Sequence, residues 1–555
     1  MKRCPTCQRT YADDALNFCR ADGAALLRHS SPLFEYRETL VKLPGAASGE
    51  MPTELLHATG EANTSSSLNA TSSSLTAPLA TPARRRTSRS RVIDSLAVLP
   101  LEDAGRTTHS SEAEYLAEGI TEAIINSLTQ LPRLRVTPRA TVFRYKGRDP
   151  QEVGRELGVR AVLAGRLQLH GELLLVSAEL IDVEQSRQVW GEQYRHEMDD
   201  IFRLQERIAH EISEKLRLRL SGEEKKRLRR RQTENTAAYH LYLKGRYFIN
   251  KRTTDWIKRG VELLREAIDT DPAFADAYAG LADAYAFLAS STGEQPPTEF
   301  YPMAKAAALR ALELDPTLAE AHTSLGFYRL LYEYDLEGAG HEFRRAVELK
   351  PSYANAHDGL SFYYKAVGRH ERAERACRRA HEADPLSLFA HVSLAWGHHF
   401  ARRYAEAVAE SRKALELDPR FIFAHWSMGL AYALQGEHER AVASLTEAVE
   451  HSGGGLTFKS HLGYVYGLAG RDEEARAILS ELQTVARERY VSAYYLALVH
   501  LGLGQHEEAL TQLERSYEER PGFLAFLRVE PILDPLRPSP RFAALERRIF
   551  KNSDE

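Results

Sequence analysis

Three cysteines and an aspartate open the chain in a pattern that could hold a metal, Cys4, Cys7, Cys19 and Asp22 reading C-x2-C-x11-C-x2-D. Zn2+ accepts carboxylate oxygen as well as thiolate in a tetrahedral shell, so these four side chains could form a structural site, with His29 the lesser substitute for Asp22. A segment this short has too little core to fold unaided, so bound metal would supply its folding energy. The alternative is a degenerate knuckle without metal. Cys377 stands alone at a core-like position and reads as a buried, inert thiol. His322, His357, His391 and His425 recur at one position of a repeating pattern. Equivalent positions on packed helices lie about 10 Å apart, too far for neighbouring rings to share a ligand, so these histidines read as packing residues. His–Glu pairs occur at His210, His341, His370 and His506, none with a second histidine at the fifth position. The zinc-protease helix is therefore missing, as are the phosphate-binding G-x4-GK loop, the G-x-S-x-G elbow and the kinase set. The sequence predicts no enzyme.

The elements that must position these residues are bounded by composition. The chain has 555 residues, 43% hydrophobic and 27% charged, with 73 Lys+Arg against 77 Asp+Glu. Those values exclude a disordered chain or a membrane bundle and give no global reason for nonspecific nucleic-acid binding. With no apolar run of about 18 residues and no secretory signal core, the chain reads as cytoplasmic. Residues 1–27 form the cysteine head. Residues 28–91 shift to Ser, Thr, Ala, Pro and Arg and read as a disordered linker, ending in RRRTSRSR. From residue 92 to 220 strand-like and helix-like periods alternate in the order β-α-β-α-β-β-β-α, a mixed α/β domain. A basic hinge, 221–235, carries KKRLRRR.

The remainder repeats. Proline punctuates at Pro272, Pro316, Pro351, Pro385, Pro419 and Pro521, with intervals of 35, 34 and 34 residues from Pro316 to Pro419. Nine residues after each point of this register comes Leu281, Leu325, Leu360, Leu394, Met428, Leu462 or Leu496, followed each time by a small residue. Large then small is what close helix crossing needs. The pattern matches the tetratricopeptide repeat, in which helix pairs stack into a superhelical solenoid. Eight repeats are expected over 236–521, with 522–555 as a helical cap.

Further phrases carry a wider resemblance. SLAVLPLED, EYLAEGITEAIINSL, LRVTPRATVFRYKGRDPQEVGRELGVRAVLAGRL and AELIDVEQSRQVWGEQY resemble the TolB amino-terminal-like (FlgO-like) domain that precedes tetratricopeptide arrays in bacterial signalling proteins. The head is similar to bacterial zinc ribbons, with aspartate in the place of the fourth thiolate. The tetratricopeptide resemblance implies a concave groove lined by the first helix of each pair. Its groove positions map onto Asn355, Asp358, Phe362, Lys365, Phe389, Trp396, His399, Phe423 and Trp426, an aromatic inner face. The fold class expected is thus multidomain, with a small zinc-ribbon-like head, a mixed α/β domain and an all-α solenoid. The function expected is a scaffold or adaptor binding a protein or peptide in the groove. The alternative is a nucleic-acid-linked transcriptional regulator using the head and the basic segments.

Overall fold

A computed structural model describes residues 93–103, 111–131, 133–171, 173–197, 201–216, 222, 232–251, 253–290, 295–383 and 387–550, together with three short strands near the amino terminus. The chain divides into two compact units, residues 1–86 and 87–555. In the first, β1 (Lys2–Arg3) pairs antiparallel with β2 (Thr10–Tyr11) and with β3 (Leu27–Arg28), giving the order β2-β1-β3. Cys4, Cys7, Cys19 and Asp22 and the linker 31–91 lie outside the described residues, as does most of the basic hinge.

The second unit joins a mixed α/β domain to a helical solenoid. Its sheet contains β4 (Ser95–Val98), β5 (Glu102–Asp103), β6 (Arg135–Val136), β7 (Ala161–His170), β8 (Leu173–Asp182) and β9 (Arg187–Glu197). The order is β6-β4-β7-β8-β9, with β5 also on β7; β4 runs parallel to β6 and β7, while β7, β8 and β9 form an antiparallel meander. β4 is buried throughout because it is a central parallel strand, which is why apolar residues follow one another from Leu96 to Val98 while Ser95 is buried by accepting from the Arg160 amide. Helix α1 (Ser111–Thr129) turns Leu116, Ile120, Ile124 and Leu128 inward at every fourth residue, all essentially inaccessible. After a single turn, α2 (Arg139–Val142), comes α3 (Pro150–Glu156). It starts where Asp149 accepts from the amides of Gln151 and Glu152 and proline takes the first helical position. α4 (Ile201–Lys215) completes the domain.

Among the described residues, sixteen helices follow as eight antiparallel pairs. They are α5 (Thr236–Ile249) with α6 (Thr254–Thr270), α7 (Ala275–Ser290) with α8 (Pro297–Leu314), α9 (Ala319–Tyr328) with α10 (Leu336–Leu349), and α11 (Ala354–Ala366) with α12 (His370–Ala383). Then come α13 (Leu388–Phe400) with α14 (Tyr404–Leu417), α15 (Ile422–Leu434) with α16 (His438–His451), α17 (Leu456–Leu468) with α18 (Asp472–Val485), and α19 (Ala493–Gly502) with α20 (His506–Glu519). Small residues allow the helices to approach: a Cβ on Gly467 would come within 2.3 Å of the Gly502 carbonyl carbon. The α/β domain is continuous with the first repeats. Leu243 of α5 packs on Gly119 of α1, Tyr239 donates to Gln205 at 2.6 Å, and one apolar core runs from Leu96 to Tyr328.

Beyond α20 the expected cap segment holds, among the described residues, one α-helix, α21 (Pro540–Ile549), which lies against α20, where Arg541 reaches Glu514 at 2.7 Å. Residues 522–526 and 531–536 are two 3-10 turns that return across the solenoid. Among the described residues no helix is long and apolar enough to cross a membrane.

Candidate functional site: the concave face of the solenoid

The first helices of successive pairs bring a ladder of rings together. Phe327 meets Phe362 edge-on at 6.0 Å, Phe362 meets Trp396 at 5.7 Å, and Trp396 meets Trp426 at 5.4 Å. Such T-shaped contacts suit the ring quadrupole and rigidify the seam between repeats. The ladder is covered by the chain itself. Phe526 lies flat on Phe400 at 5.1 Å and edge-on to Phe362, while Phe523 lies flat on Tyr494 at 5.1 Å and edge-on to Trp426. Leu524, Ala525 and Leu527 between and beside them are fully buried.

Polar clasps hold this returning strap in register. His399 is buried and bonds Glu530 at 2.9 Å; burial pushes the Glu530 pKa up, but His399, the Ile532 amide and His461 together hold it below the usual carboxyl value. The turns inside each helix pair provide the rest. Tyr334, Gly368, Arg402, Gly436, Gly470 and Gly504 recur at 34-residue spacing, all with positive φ. Glycine takes that left-handed conformation without penalty, whereas a side chain costs about 1 kcal/mol there. The two positions that are not glycine both grip the strap: the Tyr334 hydroxyl donates to the Pro521 carbonyl at 3.1 Å, and Arg402 forks onto the Asp534 carboxylate. Arg520, itself at φ 52, donates to the Tyr332 carbonyl.

The groove residues expected from sequence therefore divide. Phe362 and Trp426 lie under the strap, His399 clasps it, and Trp396 packs between Phe362 and Trp426 in the ladder. Asp358 and Lys365 belong to a polar cluster between repeats four and five: Lys365 is fully buried and donates to Ser393 at 2.7 Å, and Ser393 donates to Asp358 at 2.7 Å. Burial raises the Asp358 pKa, against the pull of Lys365. Cys377 is buried beside Ser393. Asn355 is exposed. Phe389 and Phe423 lie at the rim with Phe421, which sequence reasoning missed; the three rings are 5.2–5.8 Å apart and Phe389 is 54% exposed. The missed strap contacts had one signal in the sequence, the replacement of glycine by Tyr334 and Arg402 in the 34-residue register.

The repeat histidines act within their own repeats. Nε2 of His357 and of His425 bonds the carbonyl of the proline six residues earlier at 2.8 Å, tying the inter-repeat turn to the helix. A separate hollow of about 530 Å³ on the sheet of the α/β domain carries charges of both signs, Glu102, Arg148, Arg166, Glu179 and Glu192, and so selects no one ligand class.

Two family models match parts of the chain. The tetratricopeptide family model matches residues 422–445 and 491–515, so the chain contains tetratricopeptide repeats. Residues 92–211 match the second domain of HilA/YgeH-like transcriptional regulators. A curated relative, putative adenylate cyclase 3 of Rhizobium meliloti (strain 1021), is 33% identical over 189 residues, 34% of this chain. The chain spans about a third, 32%, of that relative's length. Similar solved structures include Pseudomonas aeruginosa pilF, at 20% identity over 39% of this chain and 92% of its own, TM-score 0.30. Another is YrrB, described as a TPR protein with an unusual peptide-binding site, at 20% identity over 34% of this chain and 93% of its own, TM-score 0.25. The Cut9–Hcn1 hetero-tetramer of APC/C matches at 12% identity over 63% of this chain and 72% of its own, TM-score 0.38.

Proposed function

We propose that this chain is a non-catalytic cytoplasmic adaptor that binds a protein or peptide on its tetratricopeptide solenoid. The observation behind the reading is that the concave face already receives a peptide segment, with Phe523 and Phe526 seated on its rings. Phe389 stays exposed at the rim, backed by the half-buried Phe421 and Phe423, and these rings are the anchor for an outside partner. Aromatic anchors dominate binding energy at such surfaces. The α/β domain, TolB amino-terminal-like by its sequence, is the rigid mount of the array. In the head, Cys4, Cys7, Cys19 and Asp22 would hold one structural Zn2+. The proposal assigns no cyclase chemistry to this chain.

The test is proximity labelling with the full chain against Phe389→Ser and Phe423→Ser variants, with Trp256→Ala, an aromatic exposed on another repeat, as control. The dominant partner should weaken by about 1–3 kcal/mol in both rim variants and persist in the control. Undiminished binding in the rim variants would refute the assignment. A second reading, a transcriptional regulator, is favoured by the family match over residues 92–211. A salt-dependent DNA shift abolished by deleting residues 1–91 would support it.

A further inference from the structure

His425 of α15 and Glu447 and His451 of α16 place their candidate ligand atoms within 4.8 Å of one another. Glu447 and His451 are four residues apart, so they share one helical face, and their nearest atoms, Glu447 Oε2 and His451 Nε2, are 3.2 Å apart. That is close to the ~3.3 Å edge of a tetrahedron whose metal–ligand bonds are about 2.0–2.1 Å.

His425 is prepared for the third position. Its Nε2 bonds the Pro419 carbonyl at 2.8 Å, which fixes the proton there and leaves the lone pair on Nδ1. A backbone carbonyl on the far ring nitrogen is the usual support for a metal-bound imidazole. Nδ1 of His425 is buried and has no hydrogen-bond partner among the described residues. In repeats three and five the equivalent nitrogen is satisfied within its repeat: His322 Nδ1 meets Glu342 at 2.6 Å, and His391 Nδ1 meets Glu410 at 3.3 Å. Repeat six instead offers a carboxylate together with a second imidazole.

We propose that His425, Glu447 and His451 form a site for a divalent transition ion, Zn2+ in particular, with water in the fourth position. Two neutral imidazoles and one carboxylate suit that class of ion, whereas Ca2+ and Mg2+ prefer all-oxygen shells. The ion would clamp the two helices of repeat six, directly behind Trp426. Sequence reasoning compared histidines only between repeats and so overlooked a partner on the second helix of the same repeat.

Zn2+ binding is measured by equilibrium dialysis on the full chain carrying Cys4→Ser, Cys7→Ser and Cys19→Ser, which removes the thiolates of the head. One Zn2+ per chain is expected, at least tenfold weaker after His425→Ala or His451→Ala and unchanged after His391→Ala. Glu447→Gln, an isosteric change at an exposed position, should also weaken it and decides the matter if either histidine variant loses helix content by circular dichroism. Absence of stoichiometric zinc, or affinity unchanged by Glu447→Gln, overturns the proposal.

Discussion

His461 joins the strap to pH. Its ring is buried 5.2 Å from Trp426 and 6.4 Å from Phe523, and Nδ1–H donates to the Thr457 carbonyl at 2.7 Å. Burial pushes its pKa down to about 4, against smaller upward pulls from the bond to the Thr457 carbonyl and from Glu530, with His399 adding to the downward shift. The folded state therefore holds the neutral ring, while the unfolded chain takes up a proton near pH 6.5. This contribution is intact above that pH and is lost as pH falls towards 4, reaching about 3 kcal/mol once both pKa values are passed. Urea denaturation from pH 7 to 4 should show a steeper loss of stability in the native chain than in a His461→Leu variant. Equal slopes would show that the ring does not titrate on unfolding. At this scale the sequence was informative about type and silent about partner. Phe362, Trp396 and Trp426 fell on a groove by their spacing, but nothing local shows that Phe526 and Phe523, more than 90 positions further along the chain, cover Phe362 and Trp426.

Among the elements, the helix pairs were legible because each repeat restates the same apolar register and punctuation, so weak local signals add. The strap was not. Its 3-10 turns lack the 3.6-residue period, and Pro531, Pro535 and Pro538 interrupt a segment whose sequence reads only as a terminal helical cap. Its burial comes wholly from tertiary contact, which makes its energetics measurable. Phe526 is 8% exposed and touches Phe362 and Phe400, so Phe526→Ala should cost about 3–5 kcal/mol, as truncation of a core phenylalanine does. Phe389→Ala at the open rim should cost under about 1 kcal/mol. Denaturation midpoints compare the two directly, and similar losses would mean that the strap is not part of the folded core.

For the whole second unit, the hinge expected between domains is bridged by packing. Glu122 of α1 pairs with Arg246 of α5 at 3.1 Å, accepts from Asn250 at 2.8 Å and meets Arg139 at 3.1 Å. These partners lower its pKa in spite of burial. Residues such as Leu243 and Tyr239 look like ordinary repeat positions in the sequence, so only the fold reveals that they serve two domains. Glu122→Ala leaves Arg246 with Asp283 alone, at 3.4 Å. A loss of about 2–3 kcal/mol is expected, below the range for a fully broken buried pair because that contact remains. Calorimetry should then resolve separate α/β and solenoid transitions in place of one; a single, unshifted transition would show that this pair does not couple them. A last consequence concerns elasticity. An open array of repeats is a spring, because each unit touches only its neighbours and the pitch can stretch at every joint. Here Tyr334 is tied to Pro521 across 187 positions of chain, and Phe362, His399 and Trp426 are tied to the same strap. Repeats three to eight therefore share one tether, and the coil cannot lengthen at a single joint without pulling rings out of their seats. The strap thus holds the bend of the array over that span, and whatever docks on it meets a fixed curvature.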